Sequence, residues 1–239
     1  AQDTSQGFTA HGTIVAQVTV SGTRLNLGGD IAMMSRGQLL RFDLLRLSIP
    51  GVEPTLNALL SQFLPQGGIS AVLDQTTGNT TVWSEARRKY YVFAGNKSGA
   101  ATTPAVSAES AVPGATGSIV HMLEMGRAVQ GYKTFSESVA ITGRSTVNGH
   151  PATNLHITYK AQKTTGALTD AVGDLSLAED AQYLPVRIVA TIKPANYSGR
   201  IEFTSIAAVA PADSVFIIPS GYAKANDPSE VFGAGLPHP

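Results

Sequence analysis

Apolar and polar residues alternate along most of this chain, with the period of two that is typical of a half-buried β-strand. In residues 13–20 the apolar positions begin at Ile14 and recur at every second residue. The alternation returns in residues 40–44, after a bend predicted at Arg36-Gly37. The two runs predict neighbouring antiparallel strands.

Two segments have a different period, in which apolar residues recur at every third or fourth position. Residues 53–64 carry Leu60 and Phe63 in such a pattern, with Pro54 suited to a first helical turn. Residues 118–131 repeat the pattern less regularly. Both segments predict short amphipathic helices.

Further alternating runs extend the predicted sheet through the rest of the chain. Asn148-Gly149 predicts a tight turn, and residues 166–173 predict a loop. The sum is about ten antiparallel strands with two helices, without the strand-helix alternation of parallel sheets. A long sheet of this kind must curl, close or be covered by its helices. The runs that complete it are residues 69–73, 80–84, 89–93, 139–141, 154–160, 175–178, 184–192 and 200–208.

Composition fits one domain over residues 1–239. Of the 239 residues, 43% are hydrophobic and 14% are charged, which is enough apolar material for one buried core. The strands fall in residues 11–222 and leave residues 223–239 as a C-terminal tail. Residues 94–117 consist mainly of Ala, Gly, Ser, Thr and Pro, which predicts a surface loop or lid rather than a core layer.

Charge and the first residues bear on where the protein works. Its 17 basic and 17 acidic residues balance, so no net field attracts nucleic acid, and we expect no nucleic-acid partner. The small polar residues from Ala1 to Gly7 are typical of a chain from which a signal peptide has been removed. They predict a bacterial exported protein, periplasmic or secreted. No apolar run reaches the roughly 20 residues of a membrane-spanning helix, which leaves peripheral membrane contact open.

Motifs for catalysis are absent from the sequence. It has no cysteine, no Gly-x-Ser-x-Gly elbow, no phosphate-binding Gly-Lys-Ser/Thr loop and no His-Glu-x-x-His zinc motif. His121 and Glu124 have a spacing that suits one metal ion, but a metal site needs three or four ligands. We therefore expect no enzyme, metal or cofactor. A hydrolase assembled in space from His121, His150 or His156 and nearby acids is the open alternative.

Short motifs along the chain occur in a suggestive order: Gly29-Asp30-Ile31 to Arg36, Leu40-Arg41-Phe42, Val82-Trp83 to Tyr90-Tyr91, Val147-Asn148-Gly149-His150, Leu184-Pro185-Val186-Arg187, and Phe216 to Tyr222. Together they resemble the LolA/LolB-like superfamily, which includes periplasmic lipoprotein carriers, lipid-carrier lipoproteins and RseB-like sensors. The resemblance covers most of residues 11–222. It implies a half-barrel, in which short helices cover the concave apolar face of one strongly curved antiparallel sheet, and this face accepts acyl chains.

A concave apolar sheet suits a lipid, because each methylene removed from water is worth roughly 0.8 kcal/mol. The resemblance also implies an Arg after the second strand that holds a helical plug, and Arg36 is the nearest match. Arg36 would clamp a headgroup or bond helix-end carbonyls; the alternative is a solvated Arg at a strand end. For each of the other predicted lining residues, the alternative is an ordinary core side chain that packs beneath the helices. The predicted ligand-binding residues are Arg36, Met33, Met34, Leu40, Phe42, Leu44, Leu60, Phe63 and Trp83.

Two functional hypotheses follow. The first is an exported protein that carries or sequesters a lipid, a lipoprotein acyl chain or a similar amphiphile, with helix 53–64 and loop 94–117 as plug and lid. The second is an envelope sensor or interaction module on the same scaffold, which docks another envelope protein through an edge strand or an apolar patch. An open cavity would favour the first hypothesis, and a filled core would favour the second.

Overall fold

A computed structural model describes residues 7–20, 23–49, 68–94, 132–163, 168–181, 183–192 and 197–232. The predicted helices at residues 53–64 and 118–131 lie outside these ranges, and so do Leu60, Phe63 and His121. Of the predicted loop at residues 94–117, only Ala94 is described.

Twelve strands account for most of the described residues, where the sequence predicts about ten. The difference comes partly from a final strand of two residues, which is too short to show a period. The predicted loop at residues 166–173 is also strand from Leu168 onward. The strands are β1 (Gly7–Val20), β2 (Thr23–Arg36), β3 (Leu39–Ser48), β4 (Ile69–Asp74), β5 (Asn79–Ser84), β6 (Lys89–Phe93), β7 (Tyr132–Val147), β8 (His150–Lys163), β9 (Leu168–Ala178), β10 (Leu184–Ile192), β11 (Tyr197–Ala207) and β12 (Ala223–Lys224).

The strands hydrogen-bond in the order β12-β6-β5-β4-β3-β2-β1-β11-β10-β9-β8-β7. Neighbours are mostly antiparallel, and β12 pairs with β6 in parallel. Among the described strands this order has two free ends, so the sheet is open. The predicted mainly-β class with one large antiparallel sheet is confirmed.

Helical structure is scarce in the described ranges. They contain a 3-10 turn at Asp213–Phe216 and one α-helix, α1 (Ser229–Phe232). No described helix is long and apolar enough to cross a membrane. Helical cover for the sheet remains a prediction, because the segments expected to provide it lie outside the described residues.

The chain divides into two compact units. Unit 1 comprises residues 1–13, 27–96 and 205–239, and unit 2 comprises residues 14–26 and 97–204.

Unit 1 is built around an antiparallel meander from β2 to β6. Tight turns connect β2 to β3, β4 to β5 and β5 to β6. Gly37 supplies the left-handed φ of +56° that the turn between β2 and β3 needs. At the turn between β4 and β5, Asp74 Oδ1 accepts the Thr76 amide at 2.9 Å and Asp74 Oδ2 accepts the Thr77 hydroxyl at 2.9 Å. The side chain of Asp74 thus mimics a backbone turn.

The predicted C-terminal tail, residues 223–239, begins with regular structure in unit 1. After β12, helix α1 lies near β5 and β6, and its Glu230 pairs with Lys89. Glu230 Oε1 also accepts the Asn226 amide at 3.0 Å. The hydrogen bond from Lys89, together with the backbone amides, holds the pKa of Glu230 below its usual value.

Unit 2 contains the hairpins from β7 to β10. Asn148 and Gly149 both have positive φ, 51° and 86°, which confirms the predicted tight turn. Asn148 Nδ2 also donates to the Phe203 carbonyl oxygen at 2.8 Å. One face of these strands carries an apolar cluster, and the other carries the register pairs Asn154-Ser176 and His156-Asp174. The buried members of the cluster are Val139, Leu155, Ile157, Leu175 and Leu177.

Candidate functional site

The sheet of unit 1 presents two faces, and the strand registers assign each residue of the meander to one of them. Residues directly opposite each other on neighbouring strands point to the same face. Phe42 pairs with Met33 on β2 and with Ala71 on β4, and the row continues to Val82 on β5 and Tyr91 on β6. We call the side that contains this row the Phe42 face.

The Phe42 face is mostly apolar over five strands. Among its rows Lys89 is the one charged residue, and it pairs with Glu230. Met33 and Leu40 are fully buried, whereas Phe42 and Leu44 are half-buried. The face has three rows: Ser35-Leu40-Leu73-Thr80-Phe93, Met33-Phe42-Ala71-Val82-Tyr91 and Ile31-Leu44-Ile69-Ser84-Lys89.

The opposite side, which we call the Arg41 face, carries charges on β2, β3 and β4. Its rows lie between those of the Phe42 face, because successive side chains of a strand point to opposite sides. The rows are Arg36-Leu39-Asp74-Asn79, Met34-Arg41-Val72-Thr81-Val92 and Ala32-Asp43-Ser70-Trp83-Tyr90.

Arg41 is the centre of a dense polar network on its face. Its Nε donates to both oxygens of Asp43, at 2.7 and 3.0 Å, and its Nη2 donates to Ser70 Oγ at 3.1 Å. Its Nη1 donates to the Val215 carbonyl oxygen. The guanidinium carbon lies 5.0 Å from the centre of the Trp83 ring, within cation-π range. With the Asp43 side chain 5% exposed and that of Arg41 19% exposed, the pair is largely removed from water.

A second arginine holds the same stretch of chain. Arg36 Nη1 donates to the Pro211 carbonyl oxygen at 2.6 Å, and its Nε lies 2.8 Å from Asp213 Oδ1. The two arginines therefore bind carbonyls on either side of the start of the 3-10 turn. We call residues 211–222 the closing segment, because these contacts and its apolar side chains fix it on the Arg41 face.

Apolar packing completes the cover on the Arg41 face. Val72, Trp83 and Phe216 form a buried cluster, in which Phe216 comes from the closing segment. Partly buried side chains surround them on both sides of the contact. These are Met34, Leu39, Tyr90, Val215, Ile218 and Tyr222.

The predicted ligand-binding residues divide between the two faces. Met34, Arg36 and Trp83 lie on the Arg41 face and contribute to the cover just described. Because Met33 and Met34 are adjacent in a strand, one surface cannot hold both. Whether any of these residues binds a ligand stays a prediction. The members on the Phe42 face are Met33, Leu40, Phe42 and Leu44.

Arg36 bonds a carbonyl oxygen of the closing segment, that of Pro211. Its predicted bond to the helix-end carbonyls of a plug stays a prediction. Arg41, the centre of the polar network, was not among the predicted site residues. A signal was available: Arg41 and Asp43 alternate with Leu40, Phe42 and Leu44. Opposite charges two residues apart in a strand share a face, and this pattern is typical of a paired, partly buried couple.

Two histidine-carboxylate pairs lie in unit 2. His150 Nδ1 is 3.0 Å from Asp180 Oδ2, and His156 Nδ1 is 2.7 Å from Asp174 Oδ1. Six residues of strand separate the two imidazoles, on the order of 20 Å. Within the described residues no three His, Asp or Glu side chains come together as metal ligands. His150 and His156 therefore form two separate pairs with carboxylates, and they do not meet in one cleft as the hydrolase alternative requires.

A polar row crosses unit 2 from β8 to β11. Asn154, Ser176, Arg187 and Glu202 are successive register partners, and Ser176 Oγ donates to Asn154 Oδ1 at 2.8 Å. Arg187 Nη2 donates to Glu202 Oε1 at 2.8 Å. This hydrogen bond, with that of Arg200, holds the pKa of Glu202 below its usual value. Glu202 is thus committed to structural pairs rather than poised as an acid or base.

No family model and no curated protein matches this sequence. Solved structures match it over most of its length. An uncharacterised conserved protein from Thermus thermophilus is 9% identical, with a TM-score of 0.45, over 92% of this chain and 90% of that one. A putative outer membrane lipoprotein-sorting protein domain from Vibrio parahaemolyticus is 11% identical, with a TM-score of 0.37, over 88% of each chain.

The MucA/MucB complex of Pseudomonas aeruginosa matches with 14% identity and a TM-score of 0.36, over 90% of this chain and 56% of that one. This chain therefore spans little more than half of that protein. A lipoprotein-sorting protein domain is therefore among the structures similar to this chain, as the resemblance in the sequence predicts. With every score below 0.5, these likenesses say nothing about the ligand or partner of this chain.

Proposed function

We propose that the protein is an exported, periplasmic or secreted binding protein that carries or sequesters a lipid, a lipoprotein acyl chain or a similar amphiphile against the Phe42 face. One observation carries the proposal: this face is apolar across five strands, and its single charged residue, Lys89, is neutralised by Glu230. The polar network and the closing segment belong to the other side of the same strands.

The main driving force is the burial of apolar surface. Four strand spacings of about 4.8 Å make the face on the order of 19 Å wide. At roughly 0.8 kcal/mol for each methylene removed from water, an acyl chain laid across it gains a large driving force. Met33 and Phe42, adjacent in the central row, supply a flexible and an aromatic surface that adapt to irregular chains.

A matched pair of substitutions on β2 tests the proposal. Met33→Gln places a polar amide on the Phe42 face, and Met34→Gln places the same group on the Arg41 face with nearly the same shape. The purified proteins are analysed by native mass spectrometry and by solvent extraction of bound lipid. We expect the wild type and Met34→Gln to retain an amphiphile and Met33→Gln to lose most of it. A wild type with no extractable amphiphile, and no uptake of added palmitate or methyl palmitate, would refute the proposal.

A second candidate function, an envelope sensor or interaction module, has its own observation. Strand β7 ends the strand order, and its residues 140–146 are all exposed, including Ile141 at 52%. Exposed edges invite pairing with a partner's strand. However, the register is interrupted between Ile141 and Gly143, and such a bulge blunts an edge. If this edge docks a protein, Ile141→Lys should abolish co-purification from envelope extract, whereas Lys160→Glu on the neighbouring strand should not.

A further inference from the structure

Two hydroxyl groups are buried in the mostly apolar Phe42 face, and both come from β5. Thr80 lies in the row between Leu73 and Phe93, and Ser84 lies in the row between Ile69 and Lys89. Thr80 is 0% exposed and Ser84 is 1% exposed. Val82, the β5 residue between them on this face, is fully apolar and almost equally buried.

Neither hydroxyl oxygen has a hydrogen-bond partner within the described part of the chain. Other hydroxyls of unit 1 do have partners. Ser70 Oγ accepts from Arg41 at 3.1 Å, and Ser48 Oγ donates to the Gly28 carbonyl oxygen at 3.1 Å. A buried hydroxyl without a partner destabilises a fold relative to an apolar group of the same shape. Replacing Thr80 by Val, or Ser84 by Ala, would remove the hydroxyl with almost no change of volume.

We propose that the Thr80 and Ser84 hydroxyls donate hydrogen bonds to carbonyl oxygens of the bound amphiphile, and that the ligand class is therefore a neutral acyl ester or amide. This inference rests on the proposed function, since it assigns the chemistry of the same face. A hydroxyl that lacks a partner in the protein gains one when an ester or amide carbonyl is buried beside it. An alkane offers no acceptor, and it leaves both hydroxyls unpaired.

The charges on the same face favour an ester over a free carboxylate as the ligand group. Burying a carboxylate requires a paired cation. Lys89 is the one cation in the three rows, and it is already bound to Glu230. A neutral carbonyl satisfies the hydroxyls without this requirement.

The spacing of the two hydroxyls makes a second distinction. Four residues of strand place them about 13 Å apart, so one carbonyl cannot reach both. A ligand with a single ester engages one hydroxyl at a time, whereas a ligand with two distant esters engages both. Losses caused by Thr80→Val and Ser84→Ala should therefore add for a diester of suitable length.

The test uses the full chain, stripped of bound lipid, with hexadecane, methyl palmitate, palmitate and a long-chain diester as probes in native mass spectrometry and dye displacement. The variants are Thr80→Val, Ser84→Ala and both together. Thr81→Val is the matched control, because Thr81 is the next residue of β5 and lies on the Arg41 face. We expect each single variant to lose roughly fivefold in affinity for the diester, and the double variant to lose the product of the two factors. The affinity for hexadecane should not change, and Thr81→Val should bind every probe like the wild type.

Ligand-free stability gives an independent readout. If the hydroxyls have no partner in the protein, the double variant melts at a higher temperature than the wild type. A lower melting temperature would mean that the fold itself satisfies the hydroxyls, and it would overturn the inference. Equal losses for hexadecane and the diester, or no loss for either, would also overturn it while leaving the proposed function intact. Binding of none of the four probes by the wild type would refute the proposed function instead.

Discussion

The two faces of the β2–β6 meander share the same backbone and differ in almost everything else. The closing segment covers the Arg41 face. Two arginines donate to its carbonyl oxygens, and its Phe216 packs against Trp83 beside the buried Arg41-Asp43 ion pair. The Phe42 face has apolar rows, two hydroxyls without partners among the described residues, and one neutralised lysine. A face whose buried charges are paired is structural. A face with buried donors that find no acceptor among the described residues is the better candidate for a ligand.

The largest expected effect comes from breaking the ion pair of the Arg41 face. Arg41→Met leaves Asp43 as a buried charge without its cation, and removing one partner of such a pair costs about 3–5 kcal/mol. Denaturant unfolding measures the loss. Arg46→Met is the control, because Arg46 pairs with Asp30 from the same two strands but its side chain is 76% exposed. We expect the control to change by at most about 1 kcal/mol. Equal losses in both variants would show that burial of the Arg41 pair is not what matters.

Next comes the apolar anchor of the closing segment. Phe216→Ala removes a buried ring from the cluster with Trp83 and Val72, and such truncations cost about 3 kcal/mol. Ile217→Ala, one residue away and 64% exposed, should cost less than about 0.5 kcal/mol. Thermal and denaturant unfolding of the two variants would separate them. If Phe216→Ala left stability unchanged, the closing segment would not be a structural part of unit 1.

The sequence predicted the existence of most strands, because period-two alternation is typical of a half-buried strand. It did not report which side of β3 is more buried, since Asp43 on the polar side is 3% exposed and Phe42 on the apolar side is half-buried. It also identified the turn at Asn148-Gly149, because a type I′ turn needs two adjacent residues that tolerate positive φ. It did not separate Met33 from Met34, although their adjacency already assigns them to opposite faces. The contact between Arg41 and Val215 could not be predicted from local patterns, because 174 residues separate the two in the chain. Thr80 and Ser84 were also missed, since a hydroxyl in a strand carries no mark of whether it is paired.

A smaller effect tests the apolar character of the Phe42 face. Val82→Thr adds a third hydroxyl beside Thr80 and Ser84 without changing shape, and an unpaired buried hydroxyl costs about 1–2 kcal/mol. Val92→Thr, in the Arg41-face row with Thr81, should stay within about 0.5 kcal/mol because that position is only half-buried. The comparison is made by denaturant unfolding of lipid-free protein. An unchanged Val82→Thr would mean that the interior over β5 can hydrate or pair a hydroxyl, and the case for free donors on this face would fail.

The smallest effect is a pH dependence at the turn that ends β4 on the Arg41 face. Burial works against ionisation of Asp74, but the hydrogen bonds from Thr77 and Thr76 outweigh it and hold the pKa of Asp74 below its ordinary value of 3.8. A carboxyl whose folded pKa is depressed stabilises the fold above the unfolded pKa, and that contribution disappears as pH falls through the folded pKa. Asp74→Asn should therefore be less stable than the wild type at about pH 6, with the difference shrinking below pH 3.8. Unfolding curves at both ends of this range measure it. A difference that stays constant with pH would show that Asp74 acts through turn geometry alone, and that its charge contributes nothing to the closed face.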